Sequence, residues 1–117
     1  MSVPIDYRMC RQTVTVYRYV NGEVLRREIP NCFLQWEEAE QYSPLGKDRQ
    51  RNFLLIQPGT EQLVFPGDRI YEGVDLDVTP ADWHKFIPDL CPGVGEVSYA
   101  VPYRWQGAFC HTEAGRK

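Results

Sequence analysis

Nowhere does the chain contain about 18 consecutive apolar residues, and its opening Met-Ser-Val-Pro-Ile-Asp has neither a basic cluster nor an apolar run. These absences predict no membrane-spanning helix and no export signal, so an intracellular chain is expected. Histidine is scarce: His84 and His111 are the two present, and they lie far apart. The four cysteines, Cys10, Cys32, Cys91 and Cys110, never approach the Cys-x-x-Cys spacing of a structural zinc site. Without an export signal they read as free thiols rather than a disulfide framework, with a metal site built in space from Cys91, Cys110 and His111 as the weaker alternative. Positive charge is also in deficit, 13 Lys and Arg against 16 Asp and Glu for a net charge of −3. Strong, charge-driven affinity for nucleic acid is therefore not expected, because such affinity depends on cations displacing counterions from phosphates. Long uninterrupted segments are missing as well, since nine prolines and nine glycines divide 117 residues.

What remains is a β-rich pattern of about average apolar content, 43%. Thr13-Val-Thr-Val-Tyr-Arg-Tyr-Val20 is dense in β-branched and aromatic residues, and Asn21-Gly22 supplies the two positive-φ positions of a type I′ turn. A return strand from Glu23 to Ile29, stopped by Pro30, would pair Val20 with Glu23, Tyr17 with Arg26 and Val14 with Ile29. Neither face of that ribbon is purely apolar. It reads either as a ribbon that meets a partner through Arg18, Arg26 and Arg27, or as an ordinary hairpin whose arginines lie over Tyr17 and Tyr19.

Further along, Cys32-Phe-Leu-Gln-Trp36 predicts a strand, and residues 37–51 predict a long charged loop containing Glu37, Glu38, Lys47, Arg49 and Arg51. Asn52-Phe-Leu-Leu-Ile-Gln57 and Gln62-Leu-Val-Phe65 read as core strands, each closed by Pro-Gly, and Asp68-Arg-Ile-Tyr-Glu-Gly73 as a short half-buried strand ending in a bend. Thr79-Pro-Ala-Asp82 combines a capping hydroxyl, proline at the first helical position and an early carboxylate, which predicts a short helix over residues 80–86. Residues 96–105 resume an extended pattern in which Pro102 marks an edge or a bulge. The tail from Cys110 carries little apolar surface, so it and residues 1–10 are expected to be flexible. The economical architecture is mainly β: one domain over 1–117, a small barrel or sandwich with one short helix and a long charged loop.

The residues offer little chemistry. Asp68, Asp75, Asp77 and Asp82 are the densest carboxylates; Asp75 and Asp77 could face a divalent cation, but a solvated strand edge explains them more simply. His111 adjoins Cys110, yet neighbours on an extended chain point to opposite faces, and His84 sits in the predicted helix beside Trp83. Gly93-Val-Gly95 precedes a strand rather than a helix, so it does not form a phosphate loop. No catalytic residue, metal ligand or cofactor site is expected, and an enzyme is the third-ranked class. A nucleic-acid or protein-binding module with an OB-like barrel, stacking bases on Tyr17, Tyr19 and the hairpin arginines, is the competing class.

The early hairpin, the charged loop, Pro66-Gly-Asp-Arg-Ile-Tyr-Glu-Gly73 and the terminal Tyr-Arg-Trp-Gln-Gly-Ala-Phe-Cys-His-Thr-Glu113 together resemble the head-closure, or head–tail connector, proteins of tailed phages, often described as minor capsid proteins. The resemblance implies a β-barrel subunit that self-associates as a ring at the portal–tail junction, in the neck of the virion. Its implied partners are portal or adaptor and tail proteins, with transient, non-specific contact with packaged DNA and none with membrane. A tail-terminator or tail-completion subunit is the structural alternative. On this reading the interface candidates are Arg18, Arg26 and Arg27 of the hairpin, Glu37, Glu38, Lys47, Arg49 and Arg51 of the loop, and His111 and Glu113 of the tail.

Overall fold

The computed structural model describes residues 7–37, 42–43, 46–47, 52–73, 77–87, 90–91 and 93–116. Among these residues, nine strands and two 3₁₀ segments follow in order: a 3₁₀ turn (Tyr7–Met9), β1 (Gln12–Val20), β2 (Glu23–Glu37), β3 (Tyr42–Ser43), β4 (Gly46–Lys47), β5 (Asn52–Pro58), β6 (Arg69–Glu72), a 3₁₀ helix (Pro80–Lys85), β7 (Val94–Glu96), β8 (Tyr99–Trp105) and β9 (Ala108–Arg116). Seven strands form one antiparallel ladder in the order β7-β6-β1-β2-β5-β9-β8, and β3 and β4 pair separately. The ladder does not close into a barrel, so of the two expected architectures the sandwich is the one present.

The hairpin has the register its turn dictates. Asn21 and Gly22 both adopt positive φ, 52° and 80°. Val20 faces Glu23, Tyr17 faces Arg26 and Val14 faces Ile29. Pro30 does not end the return strand. Asn31, at φ 59°, bends it instead, so that the first half of β2 pairs with β1 and the second half, Phe33 to Glu37, pairs with β5. At this corner the Gln12 side chain replaces a ladder residue: its amide nitrogen donates to the Leu34 carbonyl at 3.2 Å and its oxygen accepts from the Leu34 N–H at 2.8 Å. One strand thus serves both halves of the sandwich.

The main core lies between those halves and includes Val14, Val16, Ile29, Cys32, Leu34, Phe53, Leu55, Val64, Ile70, Val97 and Ala114. A second cluster lies on the other side of the hairpin, where Phe86, behind the 3₁₀ helix, packs with Tyr17 and Val94 and is flanked by Val24 and Trp83. The two-faced ribbon is thereby explained: its partner is the chain's own segment 80–86. Thr79 begins that segment in an extended conformation, but its hydroxyl bonds the Asp82 carboxylate rather than a backbone N–H, and the segment winds as a 3₁₀ helix.

Other segments depart from expectation too: the stretch expected as a long loop over residues 37–51 gives Glu37 to β2 and contains the β3–β4 pair. Gln62-Leu-Val-Phe65 is not a strand, although Val64 is fully buried. Side chains take the place of a ladder there: Gln57 Oε1 accepts from the Leu63 N–H and Asp68 Oδ2 from the Phe65 N–H. Where a loose tail was expected from Cys110 onward, β9 is an interior strand between β5 and β8, with His111, Thr112, Ala114 and Gly115 buried. Its hold comes from small residues that admit close neighbours rather than from apolar bulk. A Cβ on Gly115 would collide with the Phe53 carbonyl oxygen and lie 2.9 Å from the Tyr99 hydroxyl.

Candidate functional site

β6 pairs with β1 from Val14 to Tyr17 and begins at Arg69, opposite Tyr17. The Gly73 N–H donates to the Thr13 carbonyl at 2.8 Å, so alternation turns the backbone groups of Thr13, Thr15, Tyr17 and Tyr19 toward β6. Tyr19 lies beyond the end of β6, and among the described residues no loop or turn backbone bond reaches it there. This uncovered end of β1 opens into a groove lined by Arg18, Tyr19, Val20, Phe65, Pro66, Gly67, Asp68 and Trp83, with a volume of about 510 Å³.

The groove is rigidly built. Asp68 is buried and accepts from Arg18 Nε and Nη2, both at 2.8 Å, and from the Phe65 N–H at 2.9 Å. The guanidinium also lies 4.7 Å from the centre of the Phe65 ring. Its hydrogen bond to Asp68 raises the Arg18 pKa, with burial acting the other way. Tyr19 stacks on Trp83 at 5.6 Å, and Arg69 covers Trp83 at 3.9 Å while donating to the Trp83 carbonyl. Burial lowers the Arg69 pKa against the pull of Glu96, which in turn accepts from Arg116. Tyr19, Val20 and Phe65 remain exposed, so the walls combine free aromatic surface with a guanidinium already neutralised by its partner.

A second exposed apolar surface lies on the β8–β9 hairpin. β9 leaves β5 at the His111–Pro58 pair, so the end of the hairpin extends past β5. Val101, Tyr103 and Trp105 alternate along β8 on one face, with 39–43% of each exposed. Tyr103 stacks on His111 at 4.9 Å, and its pKa is raised chiefly by the hydrogen bond its hydroxyl donates to Glu113. Burial lowers the His111 pKa, with Glu113 opposing.

The sequence candidates are scattered over this frame. Arg18 is in the groove, whereas Arg26 bonds Glu28 and Asp77 on the hairpin's other face, and Arg27 is exposed. Glu37 ends β2 opposite Asn52, and the Lys47 backbone pairs with Tyr42. Glu38, Arg49 and Arg51 lie outside the described residues, as does Asp75. His111 and Glu113 belong to the β8–β9 surface. Tyr17 is no stacking platform: it is fully buried against Phe86, with ring centres 4.6 Å apart. Among the described residues no three His, Cys, Asp or Glu side chains converge as metal ligands, and Cys91 packs beside the second cluster while Cys110 lies on β9. Trp83, Phe65 and Trp105 were not legible as site residues. Comparison of the chain with known family models, curated proteins and solved structures finds no match.

Proposed function

We propose that the chain is a structural assembly subunit, specifically a ring-forming head-closure connector at the portal–tail junction of a tailed phage. The observation that supports this reading most is the β8–β9 hairpin, which extends past β5 with Val101, Tyr103 and Trp105 exposed on one face. Apolar side chains presented in this way mark a surface made for another protein. The phage identity itself rests on the sequence resemblance. In this role the chain contacts portal or adaptor protein on one side and tail protein on the other, and DNA only in passing. Quantitative peptide mass spectrometry of purified phage particles tests the proposal: a small, fixed copy number relative to the major capsid subunit is expected, and absence from particles that contain capsid and portal overturns it.

A second reading, a nucleic-acid-binding module, is favoured by one observation, the exposed Tyr19 and Phe65 rings beside Arg18. Salt-sensitive binding of a single-stranded oligonucleotide, lost in Tyr19→Ala, is its expected signature.

A further inference from the structure

We propose that Asn21-Gly22 is a site of spontaneous backbone rearrangement, and that its isoaspartyl product opens the end of the β1–β2 hairpin on which one wall of the groove stands. The reaction needs only water, so it stands apart from the assembly reading above. The Gly22 nitrogen attacks Asn21 Cγ and closes a cyclic imide, and the side-chain nitrogen leaves as ammonia, carrying the Gly22 N–H proton. Water then opens the imide at either carbonyl. Cleaving the new C–N bond gives aspartate. Cleaving the original peptide bond gives isoaspartate, whose backbone runs through Cβ and Cγ.

The chain has three asparagines, Asn21, Asn31 and Asn52, and the structure separates them. Asn21 and Gly22 are both exposed, and a Cβ built on Gly22 meets nothing within 4 Å, so the attacking nitrogen sits in open space. A two-residue loop closed by the Val20–Glu23 pair also leaves the Gly22 N–H outside the ladder. Asn31 shares the positive φ, but the next nitrogen belongs to Cys32, which is fully buried and pairs with Gln12. Asn52 pairs with Glu37, and Phe53 after it is buried. At both positions the sheet holds the following residue in place and its side chain crowds the attack. The second hairpin is an internal control. Gln106 and Gly107 turn with φ of 51° and 81°, against 52° and 80° for Asn21 and Gly22. The backbone shape is the same, but the extra methylene of glutamine demands a larger ring that closes far more slowly.

The closed turn holds Asn21 in its left-handed conformation, so the reaction proceeds as the turn opens locally. Hairpin ends open at a much lower free energy than core strands, and Val20 and Glu23 beside this turn are exposed. The two products then differ. Aspartate tolerates the left-handed conformation and keeps the turn. Isoaspartate adds a backbone carbon to a loop whose length sets the register, so the Val20–Glu23 and Tyr19–Val24 pairs no longer fit together. Tyr19 and Val20 line the groove, and Tyr19 stacks on Trp83, so that wall comes loose. Tyr17, fully buried against Phe86, stops the opening from travelling further.

The test stores the full chain in mildly alkaline buffer below its thermal midpoint, then maps peptides with isoaspartyl methyltransferase and a labelled methyl donor as the probe. Methyl label is expected in the peptide containing Asn21 and in neither of those containing Asn31 or Asn52. Asn21→Gln gives the first hairpin the dipeptide of the second, and is expected to keep the thermal midpoint and lose the label. Amide hydrogen exchange at Val20 and Glu23 is expected to rise at least about tenfold in the isoaspartyl fraction and to stay unchanged in Asn21→Asp, which adds the charge without lengthening the backbone. The proposal is overturned by absence of label at Asn21, by equal label at Asn31 or Asn52, by an isoaspartyl fraction that exchanges like fresh protein, or by the same rise in Asn21→Asp.

Discussion

Arg18 and Asp68 form one ion pair, but removing either residue has a different consequence, because the carboxylate is buried and the guanidinium side chain is 38% exposed. Among the described residues, Arg18→Ala leaves the buried carboxylate with the Phe65 N–H as its donor. Breaking a dry pair costs roughly 3–5 kcal/mol, and water entering the vacated groove reduces this to about 2–3. Asp68→Asn keeps an acceptor and lets Arg18 turn to solvent, so about 1–2 kcal/mol is expected. Urea unfolding of the two variants should give that order. His111 supplies a pH dependence: its folded pKa lies below the ordinary 6.5, so the unfolded chain binds the proton more readily. Its contribution is complete above that value and is lost as pH falls through 6.5 toward the folded pKa. The urea midpoint should therefore drop between about pH 7.5 and pH 5.5, and His111→Gln should flatten the drop. Burial pushes the Cys32 thiol up to about 12, with Cys10 adding to it. Iodoacetamide should label the half-buried Cys91 and Cys110 in the native protein well before Cys32, as peptide mapping will show.

Elements were legible where local chemistry decides them. The Asn21-Gly22 turn fixes the loop length, and a fixed loop fixes every pair of the hairpin behind it, so that register followed from the sequence alone. β5, β6 and the 3₁₀ helix lie where their apolar runs and proline signals put them. Residues 62–65 and the tail were not legible, for opposite reasons. The former have a strand's composition but find their backbone partners in the side chains of Gln57 and Asp68, which no local pattern announces. The latter lack apolar bulk, yet Ala114 and Gly115 fit between β5 and β8 because they are small. The groove was hidden in another way: its walls come from three distant segments, and Tyr17 and Tyr19, which share one face of β1, differ because Phe86 covers the first and leaves the second exposed, a distinction that appears once the covering segment 80–86 is known. Pro102 makes an element-scale prediction. β8 ends the ladder, and a residue without an N–H guards such an edge against pairing with other chains. Pro102→Val should leave the thermal midpoint equal or higher and increase light scattering on storage; unchanged scattering would show that the edge is protected by something else.

Across the molecule, the two ends of the ladder come from one stretch of chain. β7 passes into β8 through Val97 and Ser98, where the Val97 N–H donates to the Asp68 carbonyl at 2.9 Å and the Ser98 N–H to the Gly115 carbonyl at 2.8 Å. That link ties the groove's turn to β9, so both halves of the sandwich share one cooperative core while the two exposed apolar surfaces stand outside it. Folding and assembly should then respond to different residues. Gly115→Ala drives a methyl group into the Phe53 carbonyl and the Tyr99 ring at the centre of the β5-β9-β8 layer. The small strand that holds the tail has no slack to relieve it, and a loss of about 3 kcal/mol or more is expected, seen as a fall in the urea midpoint for every spectroscopic probe at once. Trp105→Ser removes only half-exposed surface beyond the end of β5 and should change stability by less than about 0.5 kcal/mol. Its effect belongs to association: sedimentation velocity should show the concentration-dependent species of the parent chain lost in Trp105→Ser. In Gly115→Ala those species should persist under conditions where that variant is still folded. Loss of both properties together in Trp105→Ser would mean that the hairpin end belongs to the folding unit and that the division between core and contact surface is drawn in the wrong place.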